Sequence, residues 1–282
     1  MKKFLCFLLI ALAATTAVGQ RGRQKPKLYG ENEFQNRGWY FAPGVTIMPG
    51  VTGNRFETLY GEGELRNDTI YSGRFDPNSR IGIYLEGGRH KFVNDLILIK
   101  HFDYGIHIKM LRGKEKYAGL VSDGTQLIET TNQAKFSETS AGAFINASNI
   151  LQIMDNGWLH NSLGLNFDYT FLSNRSSDGF YGAIPQQFEE PMLFQLHYKL
   201  GFGWKVDPGL YIMPMVETPI LNLFPNLDGG STLNYFSSEY RPFIFSIRVM
   251  FLDRTEGRKC VGKDTSGTKP SLWGKEMKKY NR

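Results

Sequence analysis

The chain has 282 residues, 41% hydrophobic, 14% aromatic and 21% charged, with 31 glycines and a formal net charge of +6. That length suits one large domain, and so apolar a composition excludes a mainly disordered chain. No apolar run of about 20 residues follows the N-terminus, which excludes a helical membrane protein. Two cysteines, Cys6 and Cys260, cannot frame a disulfide scaffold.

In chain order, Lys2 and Lys3 form a basic start and Phe4 to Ala14 an apolar stretch of signal-peptide length. Ala17-Val18-Gly19 fits the small-x-small cleavage pattern, so residues 1–19 are expected to be a cleaved export signal of bacterial type. Cys6 lies inside the apolar stretch, which leaves Cys260 as the single thiol of the mature chain. Residues 20–37 are polar and basic and contain Pro26, the make-up of a flexible periplasmic segment. Residues 20–38 carry +3 and residues 253–282 carry +5, so with +2 in the signal the body carries −4. The basic balance therefore belongs to the ends. Beside a membrane, such ends meet phospholipid headgroups, anionic polymers or an acidic partner rather than nucleic acid.

From residue 38 to 252 the pattern alternates with a period of two. The first strand is expected at 39–49, weakened by Pro43 and Pro49, and a long connection at 51–80 leads to a second strand at 81–93. After the turn Asn94-Asp95, the third strand sets Phe102, Tyr104, Ile106, Ile108 and Met110 against His101, Asp103, Gly105, His107 and Lys109. A second long connection at 113–138 precedes the fourth strand at 139–152, and Asp155-Asn156-Gly157 turns the chain. The fifth strand opposes Leu159, Leu163, Leu165, Phe167, Tyr169 and Phe171 to His160, Ser162, Gly164, Asn166, Asp168 and Thr170, with Asn161 breaking the apolar side. A third long connection at 173–191 leads to the sixth strand. It places Phe194, Leu196, Tyr198, Leu200, Phe202 and Trp204 against Gln195, His197, Lys199, Gly201 and Gly203. Asp207-Pro208-Gly209 opens the seventh strand, 209–220, which holds Pro214 and Pro219. A fourth long connection at 222–241 ends at the eighth strand, with Phe243, Phe245, Ile247, Val249 and Phe251 against Ser246, Arg248 and Met250.

Short turns on one side and long polar loops on the other predict an all-β fold. It is an eight-stranded antiparallel up-and-down transmembrane β-barrel with short periplasmic turns and long extracellular loops. The alternative is a secreted β-sandwich, but here the apolar side is uniformly aromatic-rich and the other carries glycine and ionisable groups. Trp39, Trp158, Trp204, Tyr169 and Phe251 are candidates for aromatic girdles at the bilayer surfaces. On this hairpin layout and the aromatic last strand Phe243–Phe251, residues 38–252 resemble the small bacterial outer-membrane barrels of the OmpA/OmpX kind. The resemblance implies an integral outer-membrane location. The tail of about thirty residues is too short for the peptidoglycan-binding domain that such barrels often carry.

By parity the lumen collects Glu86, Asp103, Asp168 and Glu217 with Lys109, Lys199 and Arg248, and all five histidines, His90, His101, His107, His160 and His197. An eight-stranded barrel has room for little but its own side chains, so these groups are expected to pair into a closed plug. His160-x-Ser162 places both residues on one face, as a histidine-activated serine requires, and is similar to the His-x-Ser pair of lipid A deacylase barrels. Such a pair needs the lipid face at the outer-leaflet level, whereas these two have lumen parity near the short turns. A catalytic site is therefore not expected. His90, His101 and His160 all point inward near those turns, but no carboxylate or cysteine completes a recognisable ligand spacing, so neither metal nor cofactor is expected. Gly61-x-Gly63 lacks a strand-to-helix context for phosphate, and Gly201-x-Gly203 makes room in the lumen.

Residues 253–282 form a basic periplasmic tail containing Cys260, Gly262, Gly267 and Pro270. Ser271 can cap a short helix with Trp273, Met277 and Tyr280 on one side, and Leu272, Trp273, Met277, Lys278, Lys279 and Tyr280 are the expected contacts to a periplasmic or outer-membrane protein. The other reading is a basic end lying on phospholipid. Three functions are weighed: a non-enzymatic anchor or accessory subunit of an envelope assembly such as secretion or outer-membrane assembly, a small porin, and a lipid-modifying enzyme.

Overall fold

A computed structural model describes residues 34–50, 56–60, 69–93, 98–122, 127–178, 191–224, 230–236 and 238–254. The expected signal, the Asn94-Asp95 turn, Cys260 and the docking residues Leu272 to Tyr280 lie outside the described residues. The elements in chain order are β1 (Phe34–Ile47), β2 (Phe56–Tyr60), β3 (Thr69–Ser79), β4 (Gly82–Phe92), β5 (His101–Ser122) and β6 (Leu127–Met154). They continue with β7 (Gly157–Ser177), β8 (Met192–Asp207), β9 (Leu210–Phe224), β10 (Leu233–Tyr235), β11 (Ser238–Tyr240) and β12 (Phe243–Arg254).

Eight of these strands form a ring in the order β1-β4-β5-β6-β7-β8-β9-β12, every neighbour antiparallel. The last strand returns to the first through rungs such as Trp39↔Phe251 and Val45↔Phe245, so the sheet has no free edge at this level. A closed sheet pairs its backbone groups internally, which is what a hydrocarbon surrounding demands of strands. Asp155-Asn156-Gly157 and Asp207-Pro208-Gly209 make the expected tight links, with Met154↔Gly157 and Asp207↔Leu210 as the terminal rungs. The first and last described residues meet at this same short-turn rim, where Phe34 pairs with Arg254.

The opposite rim differs from expectation. Residues 113–122 and 127–138, expected within a connection, are instead strand: β5 and β6 pair without a shift from His101↔Ser148 to Ser122↔Leu127. The stretch 51–80 likewise contains β2 and β3, and β3 prolongs β4 along β5 from Ser79↔Gly113 to Tyr71↔Val121. Polarity misled here. Residues such as Lys114, Glu115, Lys116, Glu129 and Asn132 are polar on both faces, as a sheet standing above a membrane in water can be. The stretch 222–241 holds the small hairpin β10–β11, with Phe236 at a φ of 56°.

Side chains alternate as the pleat requires. Exposed positions run through Phe41, Ile83, Leu85, Tyr104, Ile106, Ile108, Phe167, Tyr169 and Phe245, with Ile106 at 71% exposure. This apolar surface points outward and the polar one inward, the inverse of a water-soluble sandwich. Asn161 is the outward polar exception, and it accepts a hydrogen bond from the Tyr198 hydroxyl at 2.9 Å. Trp39, Trp204, Tyr169 and Phe251 are exposed, whereas Trp158 is only 1% exposed and lies inside. The girdle expectation for Trp158 is thus corrected. Its parity is that of His160, and its indole covers Gly203, where a Cβ would stand 2.1 Å from the ring.

Candidate functional site

The candidate site is the filled lumen. All twelve ionisable residues expected there, from Glu86 to Arg248, are buried. They divide into two charge clusters and a histidine layer, held between two apolar caps.

The larger cluster threads five strands. Arg248 of β12 donates from Nη2 to Glu86 Oε1 at 2.6 Å, and its Nη1 lies 2.9 Å from Asp103 Oδ2. Its guanidinium also stacks 4.1 Å from the Tyr40 ring centre. Lys199 of β8 continues the chain, 3.2 Å from Glu86 Oε2 and 3.0 Å from Glu217 Oε2. Lys199 and Glu217 are direct cross-strand partners, so their pairing follows from register alone. Glu217 Oε1 then meets His197 Nδ1 at 2.6 Å, and His197 Nε2 faces Gln195 Oε1 at 3.1 Å. The remaining carboxylate capacity goes to neutral donors: Tyr84 to Glu86, Asn166 to Glu217 and Asn146 to Asp103.

The smaller cluster is a triad across β5, β6 and β7. Lys109 Nζ donates to Asp168 Oδ2 at 2.7 Å, and His107 Nε2 stands 2.6 Å from Asp168 Oδ1. Gly142 lies between them in the sheet, opposite both His107 and Asp168. A Cβ there would be 2.6 Å from His107 Nε2 and 2.8 Å from Asp168 Oδ1, so the triad closes only over a glycine. Gly142→Ala is therefore expected to part His107 from Asp168 and to destabilise the barrel by roughly 1–3 kcal/mol. A urea midpoint in detergent indistinguishable from that of the unaltered chain would refute this. Four carboxylates face three permanent cations, so the imidazoles of His107 and His197 supply the remaining close partners.

Nearer the short-turn rim, His90, His101 and His160 come together from β4, β5 and β7. The His90–His101 and His101–His160 ring centres are 5.6 and 5.3 Å apart. Both nitrogens of His101, Nδ1 of His90 and Nε2 of His160 lack a hydrogen-bond partner. Among the described residues, no three histidine, cysteine or acidic side chains are placed to hold a metal ion. Ser162 Oγ accepts a hydrogen bond from Ser148 Oγ at 3.0 Å, and His160 Nε2 makes none to it.

Below the histidines, Phe92, Ile150, Trp158, Tyr211, Met213, Met250 and Leu252 pack into an apolar floor, with Trp158 edge-on to Tyr211 at 5.3 Å. At the other end, β10–β11 folds over the mouth. Tyr235 stacks on Phe136 at 3.8 Å, its hydroxyl donates to Glu138 at 2.9 Å, and Tyr240 donates to Lys114 O at 3.0 Å. Arg175 and Ser173 also bind Glu138. Sequence reasoning placed Asn166 and Gln195 on the lumen side but did not single out Tyr84 or Asn146, nor this roof. Tyr84 and Asn146 could have been found by parity, and the roof only by the aromatic pair Tyr235-Phe236 in an otherwise polar loop.

The chain's neighbours among solved structures include an outer-membrane protein. That neighbour is OprG from Pseudomonas aeruginosa, 8% identical, covering 79% of this chain and 98% of that one at a TM-score of 0.40. Ail, the attachment invasion locus protein of Yersinia pestis, is 11% identical, covering 78% and 99% at a TM-score of 0.24. Its complex with the heparin analogue sucrose octasulfate gives the same identity and coverage at 0.26. No protein-family model and no curated protein matches the sequence.

Proposed function

We propose that the chain is a non-enzymatic integral outer-membrane β-barrel serving as an anchor or accessory subunit of a cell-envelope assembly through its periplasmic ends. One observation carries this reading. The lumen is filled by paired charges between two aromatic caps, while the first strand begins and the last strand ends side by side at a single rim. The outward apolar face, the closed ring and the expected export signal support the membrane placement. A filled barrel offers a bilayer anchor, and the basic segments attached to its rim then supply the contacts. The test compares mild-detergent pull-downs of the full chain and of a chain ending at residue 256. A defined set of partners lost on truncation is the expected result, and identical sets would overturn the reading.

A small porin is the second reading, favoured by nitrogens of His90, His101 and His160 that make no hydrogen bond, beside Asp103 Oδ1, which lies 3.9 Å from His101 Nδ1. Polar atoms without a hydrogen bond on one side of the lumen are suited to water or a small solute. Planar-bilayer recordings separate the two readings. The anchor gives no stepwise conductance at any voltage, and reproducible steps would favour the porin.

A further inference from the structure

At the short-turn rim the outward face of β4, β1 and β12 gathers cations in an unusual way. Arg37 and Lys91 are direct cross-strand partners, as are Trp39 and Arg89. Like charges set directly opposite one another destabilise a sheet unless something of opposite sign lies between them. Among the described residues, the carboxylate paired with them is Asp253, 2.7 Å from Arg89 Nη2 and 3.7 Å from Arg37 Nε. A single acid thus serves two guanidiniums, and Lys91 is exposed beside them. Arg89 is held in place over the Trp39 ring at 4.4 Å, so its guanidinium sits at the level of an outward aromatic.

Two of these strands, β1 and β12, border a groove further into the apolar band that β8 and β9 complete. It has a volume of about 610 Å³ and is lined by Pro43, Val45, Leu200, Pro214, Phe245 and Ile247 among others. Pro43 lies on the same face as Trp39, four residues along the strand, or about 13 Å at strand rise. That span takes a molecule from the headgroup level well into one half of a hydrocarbon core about 30 Å thick.

We propose that this rim binds the phosphate-bearing headgroup of an anionic glycerophospholipid, with an acyl chain laid in the groove between Pro43 and Pro214. Three cations around one carboxylate leave two positive charges, which a phosphodiester and its hydrogen-bonding oxygens complement. The groove faces what the membrane-barrel reading makes hydrocarbon, so its occupant is an acyl chain. The assignment rests on that reading.

The test is native mass spectrometry of the full chain folded in detergent, titrated with long-chain phosphatidylglycerol or phosphatidylethanolamine. Phosphatidylglycerol is expected to be retained about tenfold more strongly, a preference that the Arg37→Gln, Arg89→Gln, Lys91→Gln triple variant abolishes. Excess inorganic phosphate is expected not to displace the lipid, and a six-carbon-chain phosphatidylglycerol to bind more weakly. Equal retention of both headgroups, an unchanged triple variant or displacement by phosphate would each overturn the site. Heat-dependent migration on gels, run in parallel, reports the folded barrel. A barrel that folds into vesicles yet shows no lipid preference defeats the site alone. A chain that never inserts defeats the membrane reading together with it.

Discussion

Arg248→Ala is expected to cost the barrel roughly 3–5 kcal/mol, read from the urea midpoint of tryptophan fluorescence in detergent. Arg248 lies at a junction, bonded to Glu86 at 2.6 Å and close to Asp103 at 2.9 Å. Removing it leaves Glu86 with Lys199 and Tyr84, whereas Asp103 keeps the neutral donors Asn146 and Tyr40, with His101 Nδ1 3.9 Å away. A buried carboxylate without a cation is the expensive product, more than the loss of the guanidinium's own contacts. Arg248→Lys keeps the charge but gives up the fork that reaches two carboxylates, so an intermediate loss is expected. Glu86→Gln and Asp103→Asn combined with Arg248→Met remove the unpaired charges as well, and this triple variant is expected to recover most of the stability. If the alanine variant and the triple variant unfold at the same urea concentration, the charge network is not what stabilises the lumen.

Which residues face the lumen was legible in the sequence, whereas which of them pair was not. Direction follows from the two-residue period of a strand, so Lys199, Asp168 and Arg248 could be placed inward without knowing their neighbours. Pairing depends on how the ring closes. Arg248 and Glu86 are 162 residues apart, and the strand between theirs, β1, inserts no charged side chain into the gap. Only Lys199 with Glu217, facing each other across a single hairpin, could have been matched from register. The upper parts of β5 and β6 escaped notice because sheet in water needs no apolar side. The roof escaped because β10 and β11 have three residues each, too few to show a period. Trp158 was misassigned because aromatics near strand ends were counted as membrane anchors, and its parity with His160 was the better guide.

Trp158 therefore provides the second large effect. Trp158→Ala is expected to destabilise the barrel by roughly 3–5 kcal/mol, since it empties the space between Gly203 and Tyr211 in a packed floor. Trp39→Ala and Trp204→Ala remove side chains that are 56% and 60% exposed, and each is expected to cost about 1 kcal/mol or less. Location can be read without unfolding. In chains retaining one tryptophan each, with phenylalanine at the others, brominated lipid is expected to quench Trp39 and Trp204 strongly and Trp158 weakly. Strong quenching of Trp158 would place it on the lipid face and undo the floor. The floor also bears on conduction, because Trp158 is the largest side chain beneath the histidine layer. A Trp158→Ala barrel that stays folded but begins to conduct would show that this cap, rather than the charge network above it, closes the lumen to ions.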